Sequence, residues 1–281
     1  MRVISFDAVK DAVCEMCGKA ACDLPPDVLK ALQDSREKET GELGREFFDQ
    51  YLANAHIAET ERLPLCQDTG FAVFFIEMGA DCTLDHGTVS EAVNAGVREG
   101  YKKFYLRKSI VADPLFDRKN TFDNTPAVIH LSQVAGDQLH ITLAPKGGGS
   151  ENMSALRMLK PSAGRAGVVD FVVNSVISAG GNPCPPTIVG VGIGGTMEYA
   201  AYLAKKALLR KVGEPSCDPR YAELEAEILA KINASGVGPQ GLGGAITSLA
   251  VHIEFHPCHL ASMPVAVNLN CHAARHAEVV L

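Results

Sequence analysis

Leu63-Pro64-Leu65-Cys66-Gln67-Asp68-Thr69-Gly70-Phe71-Ala72-Val73-Phe74-Phe75-Ile76-Glu77-Met78 joins a short polar turn directly to an apolar run. Aromatic and β-branched residues dominate the run and a glycine bounds it, so it reads as a strand with Cys66 at its mouth. Upstream, three segments read as helices. One starts near Phe6, one opens at Pro25-Pro26 after Asp23, and one runs from about Gly41 to Ala58, because proline suits a first helical turn. Downstream, residues 87 to 104 return to helix and 106 to 125 form a polar segment. Residues 126 to 133 and 138 to 145 read as a strand pair turning at Gly136-Asp137.

Further along, a helix from Arg165 to Ala179 ends at Gly180-Gly181, where glycine suits helix-end geometry. Thr187 to Gly192 reads as a short strand feeding a helix from Met197 to Lys211. A charged helix near 220 to 233 precedes a glycine-rich stretch, and apolar alternation at 245 to 255 and 263 to 269 gives closing strands. Locally paired strands and helices gathered at the N-terminus predict an α+β fold, with helices packed around small, mostly antiparallel sheets. We expect one domain over 1 to 281 with a helical N-terminal layer over about 1 to 60.

The 281 residues are 47% hydrophobic and 21% charged, enough to bury a sizeable core. A formal net charge of -7 and no basic block exclude a nucleic-acid surface. No apolar run reaches the ~20 residues of a membrane span, and Met1 to Ser5 lacks signal-peptide character, so the expected location is cytoplasmic. Nine cysteines fit reduced thiols better than a disulfide framework. Cys14 and Cys17 share one face of the first helix with no second Cys or His pair nearby, which makes them helix cysteines rather than a zinc or redox site.

Two cysteines stand in turns that answer the Cys66 turn. Cys184 lies in Gly180-Gly181-Asn182-Pro183-Cys184-Pro185-Pro186, where three prolines restrict the backbone, and Cys271 lies in Asn268-Leu269-Asn270-Cys271-His272. Three thiolates on separate loops suit three irons of a [4Fe-4S] cluster and leave the fourth without a protein ligand. The spacing alone carries no such signature. The surrounding motifs do: Cys66-Gln67-Asp68-Thr69-Gly70, Lys146-Gly147-Gly148-Gly149-Ser150-Glu151-Asn152-Met153-Ser154, Gly238-Pro239-Gln240-Gly241-Leu242-Gly243-Gly244 and His256-Pro257-Cys258-His259.

With these motifs, spread over nearly its whole length, the chain resembles the alpha subunit of two-subunit class I fumarate hydratases, equivalent to the N-terminal domain of the single-chain forms. The resemblance implies that Cys66, Cys184 and Cys271 hold a [4Fe-4S] cluster, that Gln67 and Asp68 line the substrate pocket, and that His259 contacts a substrate carboxylate. It further implies reversible hydration of fumarate to (S)-malate in a hetero-oligomer whose beta subunit adds substrate contacts and the proton-abstracting base. L-tartrate dehydratase shares the Cys-Gln-Asp-Thr-Gly and Gly-Pro-Gln-Gly motifs and is the same-chemistry alternative. The Gly149 to Ser154 and His256 to His259 stretches look more like the fumarase branch.

Residue chemistry agrees with part of this assignment. A guanidinium at Arg107 can grip a carboxylate through two parallel hydrogen bonds. The glycine triplet ending at Gly149 lets backbone N–H groups approach an anion closely, without the Lys-Ser/Thr ending of a nucleotide loop. Asp68 can order water for a proton relay or, more simply, cap its own turn. His256 reads as structural. Two other classes stay open: a non-catalytic iron-sulfur sensor, and a dinucleotide enzyme suggested by Gly190-x-Gly192-x-x-Gly195, where close helix packing is the better use of the glycines.

Overall fold

The computed structural model describes Met1–Leu281. In chain order the elements are β1 (Arg2–Ile4), α1 (Phe6–Cys22), α2 (Pro26–Lys38), α3 (Glu42–Glu61), β2 (Phe71–Gly79), β3 (Cys82–Leu84), α4 (Val89–Lys103), β4 (Val128–Val134) and β5 (Leu139–Lys146). They continue with α5 (Gly148–Glu151), β6 (Ala155–Leu159), α6 (Gly164–Ala179), β7 (Thr187–Gly194), α7 (Met197–Ala207), α8 (Pro219–Asn233), β8 (Ser248–His256), β9 (Met263–Asn270) and β10 (Ala277–Val280). The fold is α+β. Of its seven strand ladders four are antiparallel and three parallel, so the sheets are small and mixed.

The chain forms two compact units. One comprises Met1–Leu24, Ala55–Gly148 and Arg275–Leu281; the other comprises Pro25–Asn54 and Gly149–Ala274. The helices of the first sixty residues are thus shared between them, α1 in the first unit and α2 in the second.

In the first unit the sheet order is β10-β5-β2-β4. Ala72, Phe74 and Ile76 of β2 and Leu139, Ile141 and Leu143 of β5 face a core shared with Val9, Val13 and Cys17 of α1 and Val93 and Val97 of α4. Helix α4 starts with a capping box, in which Thr88 and Glu91 satisfy each other's backbone N–H groups. The expected hairpin of 126–133 with 138–145 does not form. β2 lies between those strands, parallel to β4 and antiparallel to β5. Ala72 to Ile76 are buried throughout, and the central position gives that strand hydrogen-bonding neighbours on both edges.

In the second unit the order is β6-β9-β7-β8. Its core joins Val189 and Val191 of β7, Val265, Val267 and Leu269 of β9, Val168 and Val172 of α6, and Ile228 and Ile232 of α8. Gly190 and Gly192 are explained here. A Cβ at Gly192 would lie 2.0 Å from the Ala200 carbonyl oxygen, and one at Gly190 would lie 2.1 Å from that of Ala204, so both glycines exist to let α7 pack directly on β7. Gly192→Ala is expected to lower stability by about 3 kcal/mol or more, because rigid backbone on both sides must move, and thermal unfolding will measure it. No helix is long and apolar enough to cross a membrane.

Candidate functional site

In the first unit the Cys66 turn is held from several sides. The Asp68 N–H donates to Cys66 Sγ at 3.4 Å, and the Asp68 carboxylate accepts from Gly70 N–H at 3.0 Å and Gly148 N–H at 2.8 Å. The self-capping role of Asp68 is therefore real, and the same carboxylate also receives the start of the glycine triplet. Tyr101 Oη donates toward the carbonyls of Thr69 and Gly70, and Asn124 Nδ2 donates to that of Gly70. Gly70 has φ +83°, and a Cβ there would meet Lys146 N at 2.8 Å, so only glycine closes the turn onto β5.

Two further residues belong to this neighbourhood. Thr69 Oγ1 donates to the Arg107 carbonyl at 2.9 Å, which pins the arginine's backbone beside the turn while its side chain stays exposed. Arg275, 6% exposed, donates from Nη2 to the Asp68 carbonyl at 2.7 Å. Sequence reading missed Arg275, since nothing in its local sequence marks it. Cys66 and Asp68 are half-buried and Gln67 is exposed.

In the second unit the sheet topology brings Cys184 and Cys271 together. β7 and β9 are antiparallel with Ile188 opposite Asn270, so the chain entering β7 and the chain leaving β9 share one end of the sheet. His272 completes the join: its backbone N–H and its Nδ1 approach the Cys184 carbonyl at 3.3 and 3.0 Å. A carbonyl only accepts, so Nδ1 carries the proton. Cys184 itself has φ 54°, a left-handed conformation unfavourable by about 1–2 kcal/mol for a residue with a Cβ.

The Gly238 to Gly244 motif presses on this turn. Gln240, also left-handed at φ 55°, donates its N–H to the Pro185 carbonyl at 2.9 Å and its Nε2 to Tyr51 Oη at 2.7 Å. Tyr51, on α3, donates in turn to the Pro185 carbonyl at 3.3 Å and stacks on His272 with ring centroids 4.0 Å apart. Burial pushes the Tyr51 phenol up to about 12, with the Cys184 and Cys271 thiols adding to the rise against the hydrogen bond from Gln240. The hydroxyl thus keeps its proton to donate.

Behind the loop stands Glu39, fully buried at the C-terminus of α2. Its carboxylate accepts the N–H groups of Thr40, Gly41, Ala245 and Ile246, all at 2.9 to 3.0 Å. Burial alone would raise its pKa, but the backbone donors of Ala245, Gly41, Ile246 and Thr40 prevail and hold it below the usual carboxylate range. A local signal was present: an acid at a helix C-terminus opposes the helix dipole and needs another reason to be there. Tyr51 offered no such signal.

The Gly149 to Ser154 motif is anchored rather than open. Glu151 pairs with Lys205 of α7 and accepts from Asn268 Nδ2 at 2.9 Å, and the same amide donates to Ser154 Oγ. Gly149 is exposed. His259 lies elsewhere. It sits in the exposed turn between β8 and β9, where Ala261 N–H donates to its Nδ1 at 3.2 Å. β9 separates that turn from Cys271, eight residues or about 23 Å at strand rise, so a single chain does not bring His259 to the two cysteines.

No disulfide joins any of the nine cysteines. Cys14 and Cys17 are buried in α1, where burial pushes both thiols up, as expected of core helix cysteines. No three His, Cys, Asp or Glu side chains gather tightly enough to cage a single metal ion. A four-iron cluster makes a different demand, one thiolate on each of three separate irons.

The fumarate hydratase (Fumerase) family model matches residues 10–280. "Putative L(+)-tartrate dehydratase subunit alpha" of Methanocaldococcus jannaschii is 43% identical over 274 residues, covering 96% of this chain and 96% of its own length. The L(+)-tartrate dehydratase alpha subunits of Escherichia coli O157:H7 and K12 are 35% and 34% identical over 262 residues, each covering 92% of this chain and 86% of their own length. These names give no support to the expectation that the chain sits on the fumarase branch. The chain belongs to the fumarate hydratase (Fumerase) family, among its hydro-lyase alpha subunits.

Proposed function

We propose that the chain is the alpha subunit of an iron-sulfur hydro-lyase that reversibly hydrates fumarate to (S)-malate, with Cys66, Cys184 and Cys271 as ligands of a [4Fe-4S] cluster. The observation that carries this reading is the pairing of Cys184 and Cys271 at one end of the second unit's sheet, joined through His272. The donor set fits: Cys66 Sγ already accepts a backbone N–H, as cluster sulfur does, and neither Cys66 nor Cys271 is fully buried, while Cys184 is exposed. Such a cluster supplies Lewis acidity, lowering the pKa of water or a hydroxyl and offsetting charge as a C–O bond forms or breaks.

The chain's own residues do the rest of the positioning. Arg107 grips one substrate carboxylate, Gln67 offers an exposed amide, and Gly149 N–H approaches the second carboxylate. Asp68, fixed by two N–H donors, keeps further lone pairs for ordering a water. The role on substrate implied for His259 is retained as a proposal separate from the Cys184 turn. A beta subunit provides the missing base, and a reducing compartment such as the cytoplasm suits nine cysteines without disulfides.

Asp68→Asn must turn an amide NH2 toward one of those N–H donors. It is expected to lower kcat by about 10²–10⁴ while iron content stays at the wild-type level, measured by steady-state kinetics and iron assay. L-tartrate dehydration is the second reading, favoured by the relatives' names. Anaerobic reconstitution with the beta subunit decides between them. A kcat/KM for fumarate about a hundredfold above that for L-tartrate supports the first reading, and the reverse preference replaces it with the second.

A further inference from the structure

Cys184 holds its left-handed backbone at φ 54° in an exposed turn, a conformation that persists only where the surroundings impose it. The Cys184 N–H donates to the Gly181 carbonyl at 3.0 Å, and the Cys184 carbonyl accepts from both nitrogens of His272 described above. One residue on, the Pro185 carbonyl accepts from Gln240 N–H and from Tyr51 Oη. Tyr51 therefore touches both sides of the cysteine pair: its ring lies on His272, next to Cys271, and its hydroxyl bonds Pro185, next to Cys184.

The hydroxyl accepts from Gln240 Nε2 and donates its one proton to Pro185, and the residue is 8% exposed. Removing it loosens two hydrogen bonds and one stacked pair at a single stroke. Gln240 is itself set by the loop that Glu39 ties down, so the contact has a rigid backing.

We propose that Tyr51 is a positioning residue that fixes Cys184 relative to Cys271, bracing His272 with its ring and the Pro185 carbonyl with its hydroxyl, so that the two thiols are set before a cluster binds. The proposal rests on the iron-sulfur reading. It adds to that reading a group on α3 that is no ligand and touches no substrate.

The test compares the full chain with Tyr51→Phe, which keeps the ring, and Tyr51→Leu, which removes it. In the apo chain, hydrogen exchange of peptides covering 181–187 and 238–243 is expected to quicken about tenfold in Tyr51→Phe and further in Tyr51→Leu, with 188–194 unchanged. After anaerobic reconstitution, both variants are expected to show a shifted electron paramagnetic resonance spectrum of the reduced cluster and several-fold faster cluster loss in air. A packing role alone would not alter the spectrum. Wild-type exchange in both variants, or faster exchange with wild-type spectrum and cluster lifetime, overturns the proposal. If Tyr51→Leu does not fold, Tyr51→Phe decides by the same readouts. A wild-type chain that takes up no iron or sulfide sinks the cluster reading and this proposal with it, an outcome distinguished by appearing without any substitution.

Discussion

Replacing Cys66, Cys184 or Cys271 by serine is expected to abolish stable iron and sulfide binding and to lower turnover at least about a thousandfold, equivalent to about 4 kcal/mol of transition-state stabilisation. The fold should survive. Cys184 is exposed and the other two are half-buried, and substitutions at such positions shift stability by about 1 kcal/mol or less when no packing is lost. Cys258→Ser is the matched control. Cys258 is also exposed, but its Sγ faces the Ser262 carbonyl in the turn between β8 and β9, at the other end of the sheet from Cys271. Iron and sulfide assays with circular dichroism separate the cases. Full iron content in any of the three serine variants, or equal damage in Cys258→Ser, would defeat the ligand assignment.

Glu39→Ala is expected to destabilise the apo chain by about 3 kcal/mol, because it removes a fully buried carboxylate and leaves four partly buried backbone N–H groups without their acceptor. Glu39→Gln is expected to fall nearly as far, since its NH2 would face donors. The loss is pH-dependent in a defined direction. The folded carboxyl titrates below its unfolded value of about 4.3, so its contribution is fully present above that pH and disappears as pH falls through the folded pKa. Urea unfolding of wild type and Glu39→Gln at pH 7, 5 and 4 measures it. The gap between the two should be constant from pH 7 to 5 and shrink below. A gap that is the same at every pH would mean that the carboxylate charge contributes nothing.

Both effects bear on one loop system. Glu39 sets Ala245 and Ile246, the loop they end presents Gln240, and Gln240 meets Tyr51 and Pro185 beside Cys184. A site of this kind is built from backbone carbonyls and N–H groups as much as from side chains.

What the sequence determined by itself was local. Helical spacing and proline or glycine punctuation located α1 to α4 and α6 to α8 closely, and the apolar run after Cys66 was a strand. Cys14 and Cys17 were recognisable as ordinary helix cysteines, with their burial decided by the structure, and Gly190 and Gly192 as packing glycines from the helix that follows them. The motifs around the three cysteines were long enough to show the family. Tertiary structure decided everything that depends on which strands neighbour each other. Strand periodicity states which face is apolar but not the partner, so β2 displaced the expected hairpin of β4 and β5, and the short edge strands β6 and β10 gave no signal of their own. The antiparallel register of β7 and β9 placed Cys184 with Cys271 and left His259 at the far end of the sheet. Tyr51 and Arg275 were invisible, and Glu39 stood out only as an acid at a helix C-terminus without its partners, for the same reason: they act on residues 134, 207 and 206 positions away, and burial and hydrogen bonding at such separations arise only when the chain has closed on itself.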